Sequence, residues 1–182
     1  MSLRGRLLVA EPTLADPNFH RTVVYLIEHS AEGALGVVLN RPSDTPVHQV
    51  VPTWSPYVSD PKTVFVGGPV SPDAAICLGR CADGSASPLW TSLSDGVGVV
   101  DLNGDPTDAP AGVTGLRIFA GYSGWSPGQL EAEMEVDGWF VLDAEAGDIF
   151  AETADELWRR VLSRQDGPIR RFAPFPEDPS VN

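Results

Sequence analysis

Two uninterrupted apolar runs stand out in the first forty residues, Thr22–Ile27 (TVVYLI) and Ala34–Leu39 (ALGVVL). Neither alternates with polar positions, so the pattern predicts strands covered on both faces. The link between them, Glu28–Gly33, is polar and ends in glycine, which predicts a hairpin. A shorter apolar run, Gly5–Ala10, precedes them and stops at Glu11-Pro12. Further short strands are expected at Thr63–Val66, Ala74–Leu78, Val97–Leu102, Arg117–Ala120 and Trp139–Leu142. Loops are expected at Pro52–Pro61, Gly79–Pro88 and Asn103–Gly112, all rich in Pro, Gly or Asp.

Helical periodicity is rarer. Val47–Val51 predicts a short helix after Thr45-Pro46. Leu157, Trp158, Val161 and Leu162 define one apolar face of a helix from about Ala154 to Gln165, with Thr153 and Glu156 as a T-x-x-E capping box. Gly121-Tyr122-Ser123-Gly124-Trp125 predicts a tight turn after the Arg117–Ala120 strand. Ser126, Pro127 and Gln129 then predict the start of a helix, with an S-x-x-Q box. Strands come in groups with few helices between them. This is an α+β pattern: a largely antiparallel, β-barrel-like sheet with a few helices packed outside. Residues 1–167 form one expected domain, and 168–182, rich in Pro and charge, form a loosely held tail.

Composition narrows the partners more than it narrows the fold. The chain has 182 residues, 42% of them hydrophobic, enough for one core. No apolar run approaches the ~20 residues of a membrane helix, and the start lacks a signal-peptide pattern. The expected setting is cytoplasmic, with no membrane contact. The formal charge is −13 and the pI about 4.4. Lys62 is the only lysine. Nucleic-acid affinity rests on phosphate neutralisation by Lys and Arg, so direct nucleic-acid binding is disfavoured. Cys77 and Cys81 read as reduced thiols, with a redox pair as the alternative.

Most chemical motifs are missing. The sequence has no phosphate loop, no dinucleotide fingerprint and no H-E-x-x-H, and His20, His29 and His48 lack metal-ligand spacing. No metal, cofactor or catalytic set is expected. Gly121–Trp125 approaches the G-x-S-x-G nucleophile elbow but carries Trp125 where that turn needs glycine. A hydrolase or transferase using Ser123, or an Asp16/His20 acid–base pair, is the alternative function. The stronger candidates are Arg21 and Arg41, at neighbouring ends of the predicted hairpin. With Asn40 they meet either to bind a carboxylate or phosphate, or to bridge the chain's own acids. Gly67-Gly68 at a strand end presents N–H groups suited to an anion, or forms a turn needing positive φ. The candidate ligand-binding set is therefore Arg21, Asn40, Arg41, Gly67, Gly68, Tyr122, Ser123 and Trp125.

Four segments recur together in one protein family: GRLLVAEPTLADPNFHRTVV, HSAEGALGVVLNRP, VGGPV and FAGYSGWSPGQLEAE. From Gly5 to Leu162 the chain resembles the AlgH/YqgE family of small bacterial proteins. The resemblance implies an α+β fold around a barrel-like sheet. It also implies a regulatory role, since the family is named after a protein assigned to transcriptional control of alginate synthesis. It supplies no active site. The family's recurring residues map onto Asp16, Arg21, His29, Asn40, Arg41, Gly67, Gly68, Tyr122, Trp125, Gln129 and Trp139. With this charge and no helix-turn-helix, the expected action is through a protein partner or a small anionic ligand.

Overall fold

The structure, a computed structural model, describes residues 1–83 and 86–178; parts of the predicted Gly79–Pro88 loop and of the C-terminal tail lie outside these residues. Among them, ten strands form one curled, mostly antiparallel sheet resembling a half-barrel. In chain order the strands are β1 (Arg6–Ala10), β2 (Val23–Ser30), β3 (Gly33–Val38), β4 (Pro42–Pro46), β5 (Thr63–Val66), β6 (Val70–Cys81), β7 (Trp90–Ser94), β8 (Val97–Val100), β9 (Val113–Trp125) and β10 (Trp139–Asp143). The main path runs β10-β1-β2-β3-β9-β6-β8-β7, with β5 joined in parallel to β9 and β4 to β5. The helices are short: α1 (Val47–Val50), α2 (Gln129–Glu135), α3 (Ala146–Ile149) and α4 (Leu157–Ser163).

The predicted hairpin is β2–β3, with Val24 opposite Val38 and Tyr25 opposite Val37. A bulge between Leu26 and Glu28 shifts the register beyond these pairs. Val23–Ile27 are all buried, because one face of the sheet packs under α4 and the other under α2. Trp158 fixes α4 to the sheet: its indole N–H donates to the Ala10 carbonyl at 2.8 Å.

The structure corrects several local expectations. Gly121–Trp125 is no turn but the last part of β9, which runs unbroken for 13 residues. Up to Ala120 this strand pairs with β5 and β6, Tyr122 still lies opposite Val70 of β6, and at Ser123–Trp125 it pairs with β3. The change of partner, and not a reversal, is what Gly121 permits through its positive φ of 71°. The sheet therefore has one strand common to both halves.

Helix α2 starts at Gln129, with Gly128 in the left-handed region at its N-cap. Gln129 still closes half of the expected box, accepting from the Ser126 N–H at 3.0 Å. The T-x-x-E box is not made: Thr153 caps nothing, Ala154–Glu156 form a 3₁₀ turn, and α4 begins at Leu157. A capping box occurs instead at Glu145/Asp148, ahead of α3. Strands β4 and β7 were not expected, and β6 continues through Gly79–Cys81, which sequence pattern assigns to a loop. Cys77 and Cys81 are free and buried. Four positions apart on one strand, they are separated by roughly 13 Å at ~3.3 Å per residue, beyond the ~7 Å reach of a disulfide. A redox pair between them is thereby excluded.

Candidate functional site

The entrance to β2 is set by three local features. Arg21, the residue before Thr22, has a φ of 56°, a left-handed conformation uncommon for a non-glycine residue. Thr22 is fully buried and donates through Oγ1 to the Phe19 carbonyl at 2.7 Å. Asn40, just past β3, spans the same corner. Its Oδ1 accepts from the Val23 N–H at 3.0 Å and its Nδ2 donates to the Arg21 carbonyl at 2.9 Å. One side-chain amide thus stands in for the strand partner that the kinked backbone lacks, and holds Arg21 in its strained conformation.

That strain aims the Arg21 guanidinium over the Trp158 ring, 4.0 Å from its centroid. Arg21 Nη1 donates to the carbonyls of Phe175 at 3.0 Å and Pro176 at 3.4 Å. Arg41 donates to the carbonyls of Pro17 and His20, both at 3.0 Å. Burial lowers the pKa of both arginines; Arg159 lowers that of Arg21 further, while Asp16 partly offsets the effect at Arg41. Arg21, Asn40 and Arg41 line one pocket of about 440 Å³ together with His20 and Trp158. Its acidic lining comes from Asp155 and from Glu177 and Asp178 of the tail.

The other candidates lie elsewhere. Gly67 and Gly68 cross β9 at close range: a Cβ on Gly67 would stand 2.4 Å from the Gly121 carbonyl oxygen, and one on Gly68 2.2 Å from the Tyr122 carbonyl carbon. The Gly67 N–H donates to the Ala120 carbonyl at 2.9 Å, so it is committed to the sheet and does not face an anion. Tyr122 sits in the same crossing, opposite Val70. Ser123 is fully buried and its Oγ donates to the Gly67 carbonyl at 3.2 Å. This hydroxyl secures the crossing and is closed off from solvent. His20 and Asp16 do not pair through their side chains: the His20 ring nitrogens face the carbonyls of Leu14 and Glu177, while the Asp16 carboxylate accepts from the Asn18 N–H.

Trp125 belongs to a second pocket, of about 400 Å³, beside Phe19 and Trp139. The three rings are mutual neighbours, with centroids 5.4 to 6.1 Å apart. Both indole N–H groups donate to one carboxylate oxygen of Glu133, at 2.9 and 3.0 Å. Among the described residues no group of three His, Cys, Asp or Glu side chains is arranged to hold a metal, and no helix is long and apolar enough to cross a membrane.

Sequence reasoning missed Trp158 and the tail as parts of the arginine pocket, and Arg159 as a second cation gripping that tail. Arg159 donates to the carbonyls of Ala173 at 3.4 Å and Phe175 at 3.2 Å. The signal was available in part: helical spacing puts Trp158 inward and its neighbour at the rim.

Residues 7–170 match the model of a family described as AlgH-like. A UPF0301 protein of Streptomyces coelicolor is 47% identical over 185 residues, covering 100% of this chain and 96% of its own length. A UPF0301 protein of Mycobacterium avium is also 47% identical, over 98% of this chain and 90% of its own. A crystal structure of a Corynebacterium diphtheriae protein superposes with a TM-score of 0.90 at 35% identity, covering 94% of this chain and 92% of the other. The solution structure of the AlgH protein from Pseudomonas aeruginosa gives 0.71 at 29% identity, covering 97% and 95%.

Proposed function

Given that the chain belongs to the AlgH-like family, we propose that it is a non-catalytic regulatory protein acting through a protein partner or a small anionic ligand, with Arg21, Asn40 and Arg41 as the contact surface. The observation that carries this reading is the pair of half-buried guanidiniums on one pocket, each donating to neutral main-chain carbonyls. A carbonyl oxygen is a weaker acceptor than a carboxylate or phosphate oxygen, whose hydrogen bonds to a guanidinium are roughly twice as strong. An incoming anion therefore gains by replacing these contacts. Trp158 supplies an apolar wall and Asn40 a fixed frame.

Any effect on transcription passes through a partner and not through DNA. The formal charge of −13 opposes association with the polyanionic backbone of DNA. The longest α-helices among the described residues have 7 residues, about 10 Å, little to lay in a major groove. A thermal-shift screen of the full chain with inorganic phosphate and short dicarboxylates tests the reading. The expected result is a saturable rise in Tm that Arg41→Ala abolishes. No rise with any anion, or an equal rise in Arg41→Ala, overturns it.

A further inference from the structure

The arginine pocket already holds an occupant, and it is part of the chain itself. Beyond Ala173 every described tail residue is exposed, and Phe175 remains 40% accessible. Yet three side chains from elsewhere grip its backbone. Arg21 and Arg159 converge on the single carbonyl oxygen of Phe175, at 3.0 and 3.2 Å, and the His20 ring reaches the Glu177 carbonyl at 3.4 Å. Two like charges are held beside each other around one neutral acceptor, and Arg159 helps lower the Arg21 pKa. The Phe175 carbonyl oxygen thus occupies the position of an anionic oxygen. These contacts read main chain, and the tail's side chains are exposed, with Phe175 in edge contact with Phe172 at 5.2 Å.

We propose that residues 174–178 are a displaceable plug, and that the Arg21–Arg159 fork over Trp158 is a peptide-binding groove whose partner is an extended, proline-containing acidic segment of another protein. The inference rests on the reading of the Arg21 pocket as a contact surface and names the partner's chemistry. An acidic partner matches the plug in charge: Glu177, whose carboxylate supports the charged form of Arg21, leaves with the plug, and a partner carboxylate on the fork takes its place and replaces a neutral carbonyl. A tethered segment competes at an effective concentration in the millimolar range, so the plug weakens a partner peptide without abolishing its binding. The tail segment is held by few buried apolar contacts, as expected of a part that opens without unfolding the domain.

The test uses the full chain and a fluorescein-labelled, amidated peptide with the sequence of Ala173–Asp178, followed by anisotropy. Phe175→Gly/Pro176→Gly loosens the plug by removing the Phe172–Phe175 ring contact and the proline restraint on the gripped backbone, at exposed positions and without touching the core. The expected result is saturable binding to the released chain, about tenfold weaker binding to the wild type, and loss of binding when Arg159→Gln is added. Arg159 is exposed, so its replacement leaves folding intact, which circular dichroism verifies. Equal affinity in wild type and released chain, no binding to the released chain, or binding indifferent to Arg159→Gln each overturns the proposal. An anion-induced rise in Tm that persists in the released chain leaves the Arg41 surface standing when the peptide fails.

Discussion

The side-chain amide of Asn40 brackets the backbone of Arg21, donating to its carbonyl at 2.9 Å while accepting from the N–H of Val23 at 3.0 Å. Both groups sit at a corner where Arg21 has a φ of 56°. Removing the amide leaves two main-chain groups unpaired next to the buried Thr22. Asn40→Ala is expected to destabilise the chain by about 1–3 kcal/mol. Asn40→Asp keeps the acceptor, loses the donor and falls between the two. Urea midpoints at constant m-value measure both.

The crossing of Gly67-Gly68 with β9 predicts a sharper penalty. Neither position has room for a methyl group, and the atoms in the way are backbone. Gly68→Ala is expected to cost more than about 4 kcal/mol, the range reserved for backbone or core disruption. It should show as loss of soluble, cooperatively unfolding protein.

Ser123→Ala, at the same crossing, removes one hydrogen bond, worth about 1 kcal/mol, and leaves the backbone path intact. Ser123 is also expected to resist a fluorophosphonate probe in the folded chain. Stoichiometric labelling that disappears in Ser123→Ala contradicts the structural role assigned to this hydroxyl.

Burial pushes the Cys77 thiol from 9.0 up to about 12 and the Tyr25 phenol from 10.0 up to about 12. In both cases the folded chain keeps its proton over a range where the unfolded chain has lost it. Unfolding then releases protons, so stability falls as pH rises from the ordinary values towards 12 and does not change from this cause below about pH 9. Denaturation midpoints between pH 8 and 11 should show a plateau followed by a decline that Cys77→Ala and Tyr25→Phe each reduce. Native Cys77 should be inert to thiol reagents at pH 8 and react once unfolded.

Glu133 holds Trp125 and Trp139 through one carboxylate oxygen, and Gln129 through the other at 3.1 Å. Glu133→Ala is expected to destabilise by about 2–3 kcal/mol, because two buried indole donors lose a charged acceptor. Tryptophan emission should shift to the red as water reaches the rings. Glu133→Gln, which retains one acceptor oxygen, should shift less.

The readable parts of this fold are those where burial on both faces imposes a pattern. TVVYLI announces β2 because every position from Thr22 to Ile27 is buried, and TVFV announces β5 through the buried pair Val64 and Phe65. PSDTP does not announce β4, since its pairing with β5 rests on hydroxyl contacts of Ser43 and Thr63 with main-chain carbonyls and not on apolar spacing. Gly121 and Gly124 suggested a turn because glycine there has two uses. The structure employs Gly121 to let β9 exchange partners and pass close to Gly67-Gly68, which is a tertiary matter. Arg21, Asn40 and Arg41 are neighbours for a reason the hairpin itself states. Trp158, Arg159 and Phe175 join them from more than a hundred positions away, and nothing local specifies that meeting.

The anion-binding role of the Arg21–Arg41 pocket is tested most directly by NMR titration of the isotopically labelled full chain with inorganic phosphate. Arg21 and Arg41 Nε–H, the Asn40 side-chain amide and the Trp158 indole N–H report on the pocket itself. Saturable shifts at these four groups, absent in Arg41→Ala, are the predicted result. Shifts that stay linear with concentration, or that spread over the surface and ignore Arg41, contradict it.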